Sequence, residues 1–249
     1  IQLVLHLRRV NEEHFIAHAT RGHGRVILER LDHFHFGEDV RCAMVTDQFV
    51  VQLIGPRASA LVQDALADFD EQALSLEARW SGGWSFAAPV ASLAAVELWV
   101  REPGRQALWA ALCDAGGCPV EPDAYDAFRI GCGHPIHPAE LAEHSGPLEA
   151  GGFNGISEGK GCYPGQEVIE RTLALGRPPR RLVPVCSDSP LALGELRCED
   201  HRSAGIVTSA SASTRGGYRG LALLKQKAAT NEQWVASDGS IVKSRMLEG

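Results

Sequence analysis

The sequence predicts an α+β protein in which antiparallel sheets with packed helices precede a small C-terminal β-barrel. Three observations carry that expectation. Apolar residues recur at helical spacing in several segments of the first two thirds of the chain. The adjacent prolines of "LGRPPRR" (175–181) then break it. Beyond them come only short β-like pieces separated by Gly and Ser turns. The expected domains are therefore 1–176 and 177–249.

The opening "LVLHL" (3–7) reads as a buried strand, and "NEEHFIAHA" (11–19) as a helix start capped by Asn11. "RVILERLDHF" (25–34) fits a helix or a strand. "DVRCAMV" (39–45) and "QFVVQLIG" (48–55) read as strands, and Pro56 suits the first turn of a helix over 56–69. "GGWSFAAPV" (82–90) and "AAVELWV" (94–100) resemble paired strands. Two helices, 104–116 and 121–133, each end in glycine, the usual C-cap residue. After 180, "RLVPVCS", "GIVTSAS", "RGLALLKQK" and "QWVASDGSIVKSRML" supply the barrel strands.

With 249 residues, the chain can bury a substantial core as one large domain or two modest ones. A net charge of −7 argues against a general nucleic-acid binder, which needs excess Lys and Arg to displace counterions. No apolar run is long enough to span a bilayer. Seven scattered cysteines, an odd number, favour reduced thiols in a cytoplasm-like compartment. The start at Ile1, without Met, reads as a chain met partway through its first strand.

"EGKGCYPGQEVIERT" (158–172) is the stretch that points to chemistry. It places Cys162 in a glycine-rich turn just ahead of a charged helix. A helix start and the nearby Lys160 both favour a thiolate, whereas Glu167 and Glu170 oppose it. The alternative is a tight turn whose cysteine fills a small apolar gap. Two further residues, Tyr125 and Arg129, lie four apart and share a helix face. Arg129 is suited to holding a carboxylate through two hydrogen bonds, or to pairing with Glu121 or Asp126 on a solvated face. "CGHPIHPAELAEH" (132–144) has Cys132, His134, His137 and His144 at no established zinc spacing, and His33 and His35 need no metal. The expected metal set is empty.

"KGCYPGQEVIER" resembles the signature of the YgfZ-type proteins, folate-binding relatives of the glycine-cleavage T-protein. Lys160, Gly161, Cys162, Tyr163, Gly165, Gln166, Glu167 and Arg171 match it in register. "VVQLIGPRA", "AYDAFRIGCGHP", "PLEAGG" and "AGIVTSA…RGLALLK" are similar to further family segments. The resemblance implies a tetrahydrofolate-binding accessory protein in iron–sulfur cluster assembly or repair, supporting tRNA-modifying and other cluster enzymes in the cytoplasm. Its implied partners are folate and iron–sulfur assembly or client proteins. Cys162 would be the functional thiol, with Arg129, Tyr125, Lys160, Gln166, Glu167 and Arg171 around the cofactor. The alternative is an aminomethyltransferase moving a one-carbon unit to tetrahydrofolate. The aspartate that the T-protein uses belongs to a section ahead of Ile1, so no residue here matches it. Gly131 also stands where relatives often carry an acidic residue.

Overall fold

The computed structural model describes residues 4–19, 22–70, 72, 74–83, 94–142, 145–151, 156–157 and 159–245. The chain divides into two compact units, Leu3–Trp84 with Leu93–Pro119, and Val120–Gly249. The junction expected at 176–180 falls inside the second unit, at the entrance to its barrel.

The first unit opens with a hairpin of β1 (Leu5–Arg9) and β2 (Phe15–Ala19), in which His6 pairs with His18 and Arg8 with Ile16. The helix expected from Asn11 is thus a strand. Asn11 does cap, but it caps a turn: its Oδ1 accepts from the Glu13 and His14 amides at 3.0 and 2.8 Å. Phe15 and Ile16 then favour extended backbone over helix. α1 (Gly24–Phe34) follows and resolves the ambiguity at 25–34 as helix. Residues 39–45 form no strand and are exposed throughout, with Phe36 just before them 84% exposed.

β3 (Gln48–Ile54), β4 (Leu76–Gly83) and β5 (Ala94–Arg101) make an antiparallel sheet ordered β3-β5-β4. Residues 84–90, expected as strand, lie outside the described residues. α2 (Ala58–Leu66) and α3 (Glu102–Asp114) cover one face. Because side chains alternate across a strand, Val96, Leu98 and Val100 of β5 meet Val62, Leu66, Leu108 and Leu112 there. Glu97 and Trp99 belong to the opposite face.

The second unit begins with α4 (Pro122–Cys132), which has Pro122 in its first turn and Gly133 as a left-handed cap at φ +74°. α5 (Gln166–Ala174) comes next. The barrel then closes through β6 (Arg180–Ser187), β7 (Gly194–Arg197), β8 (Ser203–Ala212), β9 (Tyr218–Lys225), β10 (Gln233–Ala236) and β11 (Ile241–Ser244). Their order is β10-β11-β6-β9-β8-β7, with β7 returning to β10. Alternating inward residues, among them Val183, Val185, Leu196, Val207, Leu224, Trp234 and Val242, fill the interior. The expected α+β class with a C-terminal barrel is observed. The sequence reading passed over the four-residue β7.

Candidate functional site

The turn before α5 is built by glycine and by its own helix. Gly165 caps α5 at φ +86°, a left-handed conformation that side chains rarely adopt. The Gln166 side chain reaches back, its Oε1 accepting from the Tyr163 amide at 3.3 Å while its Nε2 donates to Glu170 at 2.6 Å. That reciprocal tie holds the turn to the first helical turn, much as a capping box does. Cys162, in the turn, is exposed. The Lys160 ammonium lies over the Tyr163 ring, 4.4 Å from its centroid, a cation–π contact that the sequence reading did not foresee. Glu167 sits in the first turn of α5 and Arg171 in its last, each favourable to the helix dipole. α5 buries none of its residues, and Val168 is 69% exposed.

Arg129 stands elsewhere. α4 packs on β8 and β9, and the Arg129 side chain is 3% exposed. Its Nε donates to Asp126 at 2.5 Å, and Nη1 to the His134 carbonyl and to Glu140, each at 3.3 Å. Nη2 donates to Ser209 Oγ of β8 at 2.9 Å. The Glu140 carboxylate, equally buried, accepts further from Thr208 at 2.7 Å, Ser209 at 2.6 Å and the Ile136 amide at 3.1 Å. The guanidinium thus serves as a clasp between α4, the following loop and the barrel. Tyr125, half-buried one turn back, has its hydroxyl pKa raised by burial, with Arg129 opposing. Among the described residues, no hydrogen bond or ion pair joins the α4 pair to the group at 160–171. The predicted site residues therefore form two sets, one exposed and one committed to the fold.

In the Cys/His stretch, Cys132 is half-buried, and burial pushes its thiol up while Arg245 pulls the other way. His144 lies outside the described residues. The group of metal-ligating side chains that the described residues do gather is His6, His18 and Glu97, in the first unit. Sequence reasoning missed it. The signal was the alternation of His6 with Arg8 and of Ile16 with His18, inward positions of two short strands, but their partner Glu97 is some eighty residues away in sequence.

No protein-family model matches the chain. It is 29% identical over 212 residues to the Arabidopsis thaliana protein named "Putative transferase At1g60990, chloroplastic", covering 82% of this chain and 49% of that one. The chain thus spans about half the length of the curated relative it matches. Among solved structures, glycine cleavage system aminomethyltransferase T from Bartonella henselae superposes with a TM-score of 0.76 at 19% identity, over 99% of this chain and 72% of that one. With its three-stranded sheet under two helices and its closed six-stranded barrel, the chain has the fold of aminomethyltransferase T of glycine cleavage.

Proposed function

We propose that the protein is a tetrahydrofolate-binding accessory factor in iron–sulfur cluster assembly or repair, supporting tRNA-modifying and other cluster enzymes in the cytoplasm. The observation that carries this reading is the exposed Cys162, held in a glycine-capped turn at the start of a helix that buries nothing. Such a thiol is available to a partner or a soft metal, whereas a packing cysteine is not. Resemblance to the YgfZ-type signature supplies the folate and the iron–sulfur setting. Lys160, Gln166, Glu167 and Arg171 are proposed to shape the cofactor side of that turn, while Arg129 and Tyr125 support the barrel against which α4 lies.

Calorimetric titration with tetrahydrofolate is expected to show saturable binding that Cys162→Ser leaves unchanged. The same variant should fail to restore cluster-enzyme activity in a deletion strain. Absence of binding would remove the cofactor from the proposal, and full restoration by Cys162→Ser would remove the thiol. In competitive alkylation Cys162 is expected to react ahead of Cys42 and Cys118, which are also exposed, and well ahead of the half-buried Cys113 and Cys186. With no strand at 39–45, Cys42 is an exposure-matched control. The second reading, one-carbon transfer to tetrahydrofolate, is favoured by the fold shared with aminomethyltransferase T. Measurable aminomethyl transfer by the purified protein would establish it over the first.

A further inference from the structure

We propose that His6, His18 and Glu97 form a binding site for a divalent first-row transition-metal ion, with zinc the best match to the donor set. One ligand atom from each residue lies within 4.8 Å of the others. His18 Nε2 is 3.6 Å from Glu97 Oε2. That is too long for a hydrogen bond, but close to the edge of a zinc tetrahedron, about 3.4 Å for bonds of about 2.0–2.2 Å. The His6 ring stacks on His18 with centroids 4.7 Å apart, which keeps the two imidazoles side by side at the site. Two imidazoles and one carboxylate are a recurrent set for zinc with a water in the fourth position, and they disfavour the all-oxygen preference of calcium and magnesium.

The comparison with Glu140 shows what the site lacks. Both carboxylates are buried, Glu140 to 1% and Glu97 to 2% exposure. Glu140 is met by donors at 2.6, 2.7 and 3.1 Å before its arginine at 3.3 Å. Around Glu97 the nearest donors are Gln52 Nε2 and Arg8 Nη2, each at 3.3 Å. A buried carboxylate so loosely held has room for a closer, stronger partner. His18 Nε2 is itself buried without a hydrogen-bond partner. The Trp99 ring lies T-shaped to His18, with centroids 4.9 Å apart, and walls the site. Arg8 is the resident cation, and the ion takes over its share of the carboxylate. A bound ion would fasten the β1–β2 hairpin to β5 within the first unit.

Zinc competition against a chromophoric chelator, on the intact chain, tests the site. One equivalent is expected to bind, and His6→Gln or His18→Gln should each weaken it by more than the ~10–100-fold that an outer-shell partner is worth. These positions are half-buried, so the folded state can be verified by circular dichroism. Cobalt should give a tetrahedral visible spectrum without the near-ultraviolet thiolate band that a cysteine site would add. Arg8→Ala should bind zinc more tightly, because a competing cation is gone. Unchanged zinc affinity in His18→Gln, a thiolate band in the cobalt form, or failure of Arg8→Ala to tighten binding would each overturn the proposal.

Discussion

Arg129→Ala is expected to destabilise the barrel unit by about 3–5 kcal/mol, the cost of breaking a buried ion pair from one side. The loss exceeds that of a surface pair because Glu140 keeps its place between Ser209 and Thr208 with its cationic partner removed. Ser209 Oγ also loses the donor it accepts from. Denaturant unfolding, followed through a probe in the second unit, should show the drop. Replacing both members, Arg129→Met with Glu140→Leu, should recover only part of the loss: no charge is stranded, but Ser209, Thr208 and the Ile136 amide lose their acceptor. The result bears on function. A variant that stays within about 1 kcal/mol of wild type yet loses folate affinity would return Arg129 to the cofactor site and take it out of the clasp.

Arg129 also illustrates what a sequence can and cannot convey about a site. Its pairing with Asp126 was legible, because an i, i+3 ion pair is a local matter of helix geometry. Its burial was not, because that depends on Glu140 and on Ser209, eighty residues further along the chain. The exposed set at 160–171 shows the reverse. Gly165, Gln166 and Glu170 build the turn through contacts of three or four residues, so motif and structure agree on where Cys162 stands. The Lys160–Tyr163 contact is equally local, yet a cation can choose between a thiol and a ring, and spacing does not decide which.

The fold followed the same rule. Helices α2, α3 and α4 carry their own signals in apolar period, proline starts and glycine ends, and each lies where those signals put it. Strand identity was less secure because it depends on a neighbour. "DVRCAMV" has the composition of a strand, but β3 pairs with β5, and among the described residues no strand pairs with 39–45. "FIAHA" follows a residue that caps turns and helices alike, and only the pairing with β1 decides between them. The His6–His18–Glu97 group was hidden for that reason too: it exists only once a hairpin lies against the far face of β5.

Trp234→Ala is expected to cost the barrel about 3–5 kcal/mol and to open it at one seam. Trp234 is fully buried in the interior, and its Nε1 donates to the Ala228 carbonyl at 3.1 Å. Alanine removes both the ring and that hydrogen bond, leaving a cavity and a carbonyl without its donor. Trp234→Phe keeps most of the packing and should cost only about 1–3 kcal/mol, chiefly for the unpaired carbonyl. The seam is set by topology. β10 meets β7 through only two residue pairs, Val235 with Arg197 and Ala236 with Leu196, and β11 meets β6 through two, Lys243 with Cys186 and Ser244 with Val185, whereas β6 and β9 share eight. Of these two thin junctions, Trp234 stands beside the first. The ring of Trp234 therefore holds together by packing what few ladder bonds can hold alone. Hydrogen exchange under native conditions should show amides at 194–197 and 233–236 exchanging faster in Trp234→Ala than in wild type, before those of β6 and β9 respond. Equal acceleration across all six strands would mean that the barrel opens as one unit and that the β7–β10 closure is no weaker than the rest.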